Sequence, residues 1–356
     1  MTDTSSVEVG ATPLEVARLR PGALIAGLLA VVIAMVLGML ISPVDIAPKA
    51  ILYELLDDLP FIELESGLSA SRVAIIEQIR LPRVVLGFFV GATLAMSGAA
   101  YQGAFRNPLA DPYLLGIAAG AGLGATVAIT QDWGDGAGLT DPVPLAAFGG
   151  ALLAVVLSYT AGHIGGRSTA SLILAGVAVA SFLTAGQTYV LQANSEAFRE
   201  VYAWILGRIA TSGWSEPALM VPYFLLTAGV VFRYRRALDV LAVGDEEAQA
   251  LGLEPRKIRV IVVLAASLGA AAAVSVSGLI GFVGIIVPHA VRLAFGASHR
   301  ILVPLSILFG GAFMVLADLA ARTVVEPAEL PIGVVTAFLG APFFVVVLLT
   351  SRRSVW

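Results

Sequence analysis

The side chains that commonly carry covalent or metal chemistry are scarce in this chain. There is no cysteine, which excludes disulfides, thiolate metal sites and thiol nucleophiles. Lysine occurs only at positions 49 and 257, and neither follows the glycine spacing of a phosphate-binding loop. The three histidines, His163, His289 and His299, are scattered near predicted helix ends, where a structural role is the commoner one. We therefore predict no catalytic residue, no resident cofactor and no metal site in this chain.

Arginine offers a different chemistry, the recognition of carboxylates. Arg80 and Arg83 stand just before a long apolar run, and Arg322 ends another. A guanidinium group binds a carboxylate through two parallel hydrogen bonds, which fixes the orientation of an acidic partner. Asp318 lies four residues before Arg322, so we predict a pair on one helix near a membrane surface. For the arginines, anchoring in lipid headgroups is the alternative.

Composition places the chain in a membrane. Of its 356 residues, 58% are hydrophobic and only 13% are charged, and the mean hydropathy is +0.92. A helix that crosses the hydrocarbon layer needs about 20 apolar residues and satisfies its own backbone hydrogen bonds. We predict an all-α polytopic membrane protein with about ten transmembrane helices; nine is the alternative, because one run is short. The runs lie at 22–41, 84–105, 113–130, 143–163, 169–193, 217–232, 258–278, 279–290, 301–321 and 331–350.

Basic residues indicate the orientation. With the N-terminus inside and ten spans, the inside loops hold fourteen arginines and lysines and the outside loops hold seven. The positive-inside rule then places both termini in the cytoplasm. We divide the chain into a cytoplasmic tail, residues 1–21, and a transmembrane domain, residues 22–356. The first apolar run has full spanning length, which favours a retained helix over a cleaved signal.

A weak internal repeat is visible in two patterns. Residues 80–84 and 256–260 share the form Arg-x-x-Arg-Val and each precedes or opens an apolar run. Ser-Gly pairs at 97 and 277 are each followed by a proline eleven positions after the serine. Because the two units start on opposite sides of the membrane in the predicted topology, they suggest an inverted repeat of the kind found in transporters. Chance is the alternative.

A glycine pattern and a polar turn follow the first of these units. Gly116, Gly120 and Gly124 recur every four residues, which places them on one helix face. Glycines there allow a neighbouring helix to approach closely, so we predict helix packing, with pathway lining as the alternative. The polar turn at 106–112 separates two apolar runs and is predicted at the inner surface.

Two segments are predicted to be extramembrane helices. The first is Phe198–Arg208, on the outside. The second is Ala237–Leu253 on the inside, where apolar spacing predicts two short amphipathic helices hinged at Gly244. Amphipathic helices in a loop either cover the protein's own surface or bind a partner, and the pattern alone leaves both open.

Taken together, these segments resemble the FecCD/BtuC-type permease family, the membrane subunits of ABC importers for iron-siderophores, haem and vitamin B12. The resemblance covers nearly all of residues 72–350, in the expected order. It rests on RLPR at 80–83, SGAAYQGAFRNPLADPYLLG at 97–116, VGDEEAQALGL at 243–253, SGLIGFVGIIVPHAVRL at 277–293, ADLAAR at 317–322 and ELPIGVVTAFLGAPFF at 329–344.

The resemblance implies a permease subunit that works by alternating access and is not itself an enzyme. Its implied partners are a second copy of the chain, a cytoplasmic ABC ATPase dimer that holds ATP and Mg²⁺, and an extracytoplasmic substrate-binding protein. The implied location is the bacterial cytoplasmic (inner) membrane, and no nucleic acid is implied. The cargo would be an iron chelate, haem or cobalamin, and the shared motifs do not separate these.

The resemblance also implies site residues. By family match, Arg80, Arg83 and Arg322 face outward and receive acidic residues of the binding protein. Residues 237–253 match the helices that couple the permease to the ATPase; the candidates there are Leu241, Gly244, Asp245, Glu246, Ala248, Gln249, Leu251 and Gly252. The short outer helix contains three residues that could guide a substrate into the pathway: Tyr202, Trp204 and Arg208. Anchoring of this helix at the membrane interface is the alternative role.

A stand-alone secondary transporter of a large solute is the alternative function. Proton-coupled carriers place carboxylates within the membrane as a relay. Few acidic residues fall within the apolar runs of this chain, which disfavours that class.

Overall fold

The computed structural model describes residues 19–42, 44–57, 67–133, 136, 140–166, 168–209, 211 and 213–351. Within these ranges the regular structure is helical, and no strand is present. Most of the predicted tail, residues 1–18, lies outside the described residues, as does part of the loop at 131–142. The prediction of an all-α membrane protein is confirmed.

Each predicted apolar run corresponds to one helix. Seven helical segments of the described chain are long and apolar enough to cross a membrane, and three further apolar helices are shorter. The count of ten spans and the side of the termini stay predictions. The helices are α1 Pro21–Leu40, α2 Pro48–Asp57, α3 Ala70–Ala74, α4 Leu81–Phe105, α5 Ile117–Thr130, α6 Pro142–Ile164, α7 Thr169–Ala193, α8 Phe198–Ile205, α9 Ser215–Val243, α10 Asp245–Ala250, α11 Pro255–Ser277, α12 Val283–Phe295, α13 His299–Thr323 and α14 Ile332–Ser351.

Contacts between distant residues define two ends of the bundle. At one end, Arg322 donates to the carbonyl oxygen of Gly38 at 3.1 Å. At the other, Arg259 donates to the carbonyl oxygen of Ala104 at 2.9 Å. Following the predicted orientation, we name the Arg322 end the outer end and the Arg259 end the inner end.

Helix α4 forms the centre of the bundle and packs against α13, α11, α9 and α12. Its small residues let other helices approach its backbone closely. A Cβ atom on Gly98 would overlap the carbonyl oxygen of Gly284 on α12, and one on Gly91 would overlap that of Gly310 on α13. Close backbone contact of this kind gains van der Waals attraction, which holds helices together where lipid gives no hydrophobic drive.

The predicted glycine packing is confirmed at two of its three positions. A Cβ atom on Gly120 would overlap the backbone of Gly150, and one on Gly124 would overlap that of Ala146, so α5 and α6 are in backbone contact. Gly116 precedes α5, which begins at Ile117, and a Cβ atom there would make only ordinary contacts of 3.5 Å or more. With φ of 79°, Gly116 instead turns the chain into the helix, a conformation that favours glycine.

Three sequence predictions need correction. Residues 237–243 are not a separate short helix; they continue α9 to Val243, because Leu238 and Leu241 are fully buried on it. The predicted break at Gly244 is present. The outer helix ends at Ile205 and not at residue 208, since Gly207, with φ of 77°, turns the chain.

The third correction concerns the predicted repeat. Ser97 lies within α4, whereas Ser277 is the last residue of α11. The two Ser-Gly pairs therefore occupy different structural positions, and this part of the pattern is not a structural repeat. The polar turn at 106–112 does end α4, where Arg106 adopts the left-handed conformation with φ of 51°.

Candidate functional site

The outer end carries an ionic cluster centred on Arg83. Its guanidinium donates hydrogen bonds to the buried carboxylate of Asp318, at 2.9–3.1 Å, and to the carboxylate of Glu329, at 2.9 and 3.0 Å. The side chain of Glu329 is 50% exposed, and that of Arg83 is 16% exposed. The hydrogen bond from Arg83 holds the pKa of the Glu329 carboxyl below its ordinary value. All three guanidinium nitrogens of Arg83 thus donate hydrogen bonds to carboxylates of its own chain.

The other two arginines are turned inward. Arg80 and Arg322 are only 3% and 4% exposed. Arg80 donates to the carbonyl oxygens of Met39, at 3.0 Å, and Val44, while Arg322 donates to that of Gly38. The last carbonyls of a helix have no partner within it and attract cations, so these arginines cap the C-terminal end of α1.

In this structure Arg80 and Arg322 are therefore buried at the outer end under the end of α1, and their predicted role in docking stays a prediction. The predicted helical pair is present: Arg322 Nε lies 3.1 Å from Asp318 Oδ2. Docking of a binding protein stays a prediction, and in this structure Arg83 is the one of the three that reaches the surface.

Two of the three pathway candidates share a cavity. Trp204 and Arg208 line a space of about 530 Å³ at the outer end. Tyr202 lies elsewhere, half-exposed and stacked on Phe198 with 5.7 Å between ring centroids. Acidic residues also line the cavity, a feature that sequence reasoning missed because they come from separate loops and helices: Asp132, Asp141, Glu200 and Glu216.

The coupling candidates separate into a buried and an exposed set. The end of α9 and the start of α10 share one buried face, which contains Leu241, Gly244 and Ala248. The other face and the turn that follows are exposed and contain Glu246, Gln249, Leu251 and Gly252. Leu251 is 70% exposed, as is its neighbour Val243 at 73%. We name the exposed set, with Val243, the inner surface segment.

Asp245 fixes this segment to the bundle. Arg259 Nη1 donates to Asp245 Oδ2 at 2.8 Å, and Arg259 Nη2 also contacts the carboxylate. Arg106 Nη1 lies 3.8 Å from Asp245 Oδ1. The hydrogen bond from Arg259 holds the pKa of the Asp245 carboxyl below its ordinary value. Sequence reasoning did not find Arg259 as this partner; its place at the start of the buried helix α11 was the available signal.

The fold defines the class of protein. The chain is similar to a solved structure described as an inward-facing conformation of a metal-chelate type ABC transporter, with a TM-score of 0.79 and 28% identity, covering 93% of this chain and 100% of that one. The model of the FecCD transport family matches residues 29–350. The chain therefore belongs to the FecCD transport family, as the sequence motifs predict.

Curated relatives agree with this assignment. The cobalamin import system permease protein BtuC of Halobacterium salinarum is 42% identical over 287 residues, which cover 80% of this chain and 76% of that one. The hemin transport system permease protein HmuU of Yersinia pestis is 38% identical over 286 residues, covering 78% and 83%. The chain is thus the permease component of an ABC importer of the iron-chelate, haem or vitamin B12 family; its homologues are membrane components and not enzymes.

Proposed function

We propose that two copies of this chain form the pathway through which a bulky metal chelate, an iron-siderophore, haem or cobalamin, enters the cytoplasm by alternating access. A cytoplasmic ABC ATPase dimer, which holds the ATP and Mg²⁺, drives the cycle from the inner end. A substrate-binding protein delivers the cargo at the outer end. The complex lies in the bacterial cytoplasmic membrane.

The inner surface segment is the observation that carries this proposal. Its polar residues are flanked by two exposed apolar side chains, Val243 and Leu251, on a surface predicted to face water. An exposed apolar residue on each side of a short helix suits docking into a groove of a partner. Asp245 meanwhile holds the same segment to Arg259 on α11, so a partner bound here is connected to the core of the bundle.

The cargo class rests on the relatives. The Halobacterium protein is named for cobalamin and the Yersinia protein for hemin, and both are similar to this chain over most of its length. Both cargoes are large metal chelates, which supports that class. No observation favours a stand-alone secondary transporter: the buried carboxylate Asp318 lies at the outer end between two arginines, a place that suits structure better than a proton relay.

Reconstituted uptake tests the proposal. The chain, its ATPase and its binding protein are assembled in liposomes, and uptake of cobalamin, haem and ferric siderophores is measured with and without ATP. We expect uptake that needs ATP, the ATPase and the binding protein. Uptake driven by an ion gradient alone, or persisting without the ATPase, would contradict it. A thermal-shift screen of the binding protein against the same compounds identifies the cargo.

A further inference from the structure

Arg259 joins three elements of the inner end through one side chain. It stands on α11 and donates through Nε to the carbonyl oxygen of Ala104, in the last turn of α4, at 2.9 Å. Its two terminal nitrogens bind the carboxylate of Asp245, the first residue of α10. Arg259 is therefore a bridge from the inner surface segment to both α4 and α11.

The bridge leads to the most enclosed helices of the bundle. In the most apolar 18-residue stretch of the helical segment Ala70–Phe105, which contains α4, 83% of the residues are buried. The same share is 72% for α11 and only 22% for α9. The chain connection from α9 to α10 is not helical, because Gly244 is fully extended with φ of 167° and ψ of 162°. Motion of α10 is therefore not passed to α9 along one continuous helix, whereas the side chain of Arg259 joins α10 directly to α4 and α11.

The chemistry of the bridge requires arginine. A guanidinium offers five N–H donors in a rigid, planar fork, so it serves the carbonyl and both carboxylate oxygens at once. The Arg259 side chain is 18% exposed, which limits competition from water. The carbonyl of Ala104 lies among the last four of its helix and has no partner there, so this bond also satisfies an otherwise unpaired acceptor. A lysine ammonium is a point charge and would not hold all three positions together.

We propose that Arg259 is a positioning residue that transmits the movement of α10 to α4 and α11, and so couples ATP hydrolysis to opening of the pathway. The proposal rests on the proposed function. The inner surface segment makes the contact with the ATPase, and Arg259 is the connection behind it.

Substitutions of Arg259 that keep or remove its positive charge distinguish the proposed positioning role from a simple charge attraction to Asp245. In the reconstituted importer we compare Arg259→Lys and Arg259→Gln with Arg256→Gln, the matched control. Arg256 is on the same helix end, but its partner is His163, at 3.1 Å. The measured quantity is cargo imported per ATP hydrolysed. We expect both Arg259 variants to bind the ATPase and hydrolyse ATP normally while this ratio falls about tenfold, and we expect Arg256→Gln to keep the normal ratio.

A distance measurement keeps the test independent of folding yield. Because the chain has no cysteine, spin labels can be placed at Leu109→Cys and Glu247→Cys without a background. We expect the distance between them to stay constant through the ATP cycle in the otherwise unchanged chain, since α10 and the end of α4 move together. In Arg259→Lys it should broaden or shift when ATP is added, at a temperature where both proteins are fully folded.

The outcomes distinguish the two proposals. If the unchanged importer shows no ATP-dependent uptake, the proposed function fails. If it does import, but Arg259→Lys keeps the normal ratio of cargo to ATP and an unchanged label distance, only the role of Arg259 is overturned.

Discussion

Arg83 on α4 and Glu329, just before α14, are joined by two hydrogen bonds of 2.9 and 3.0 Å. The arginine predicted to receive a carboxylate from the binding protein therefore already holds one from its own chain. An incoming carboxylate has to compete with Glu329, whose side chain is 50% exposed.

Replacement of Glu329 by glutamine should consequently strengthen docking of the binding protein. The neutral amide competes less well for the guanidinium, so we expect several-fold tighter binding, mostly through faster association that weakens with salt. Surface plasmon resonance at two salt concentrations measures it. Glu326→Gln removes an exposed charge from the same loop and serves as the control. Equal or weaker binding by Glu329→Gln would remove Arg83 from the docking site.

Arg322 should matter for stability more than for docking. It is buried, pairs with Asp318 and bonds to the end of α1. Removing Arg322 leaves the carbonyl oxygen of Gly38 without its donor, while Asp318 keeps its hydrogen bonds from Arg83. We therefore expect Arg322→Ala to cost about 2 kcal/mol of unfolding free energy. Unfolding in detergent measures this, with Arg72→Ala, an exposed position, as the control. An unchanged unfolding curve with impaired docking would restore the role predicted from the sequence.

Replacement of Leu251 should weaken binding of the ATPase without lowering the stability of the fold. Its side chain is 70% exposed, so Leu251→Ser removes little buried surface from the chain itself. We expect less ATPase to copurify with this variant at an unchanged unfolding temperature. The same substitution at Val325, an exposed apolar residue of the outer end, should leave copurification unaffected. Full recovery of the ATPase with Leu251→Ser would exclude the inner surface segment as its contact.

The Asp245–Arg259 pair should be insensitive to pH in the physiological range. The pKa of Asp245 is lowered by its hydrogen bond with Arg259. A carboxyl with a lowered pKa stabilises the fold above its unfolded pKa, and the contribution disappears as pH falls through the lowered value. The difference in unfolding temperature between the unchanged chain and Asp245→Asn should therefore be constant from about pH 8 to about pH 5 and shrink only below about pH 4.

Thermal unfolding across that range checks this, with Glu247→Gln as a control for the loss of one charge from the same short helix. A difference that changes between pH 8 and pH 5 would show that the carboxyl titrates there and would contradict the pairing.

Structural features that depend on residues close together in the chain can be predicted from the sequence. Apolar runs predict the helices, Gly244 predicts the break before α10, and the spacing of Gly120 and Gly124 predicts close packing. These features arise within one turn or one helix, where neighbouring residues decide the outcome. Helix boundaries were predicted less well, as at Val243, because burial of Leu238 and Leu241 by other helices extends α9.

The burial and the partners of individual arginines cannot be predicted from the sequence, because they depend on residues far apart in the chain. Arg80 is buried because Met39, 41 positions earlier, presents its carbonyl at the same place. Arg259 reaches back 155 positions to Ala104. A charged residue at a helix start has the same sequence pattern whether it faces water or caps a neighbouring helix, so its role follows only from the assembled bundle.

Helix α9 is uninterrupted over 29 residues, a length of about 43 Å, which is close to the full thickness of a bilayer with its headgroups. Trp214, next to its outer end, donates through Nε1 to the carbonyl oxygen of Glu77 at 3.1 Å, in the segment that carries Arg80. Helix α9, which includes Pro222, thus extends from the inner surface segment to the neighbourhood of the arginines at the outer end. Binding at either face of the membrane would therefore act on an end of α9, which makes this helix a second connection beside that of Arg259.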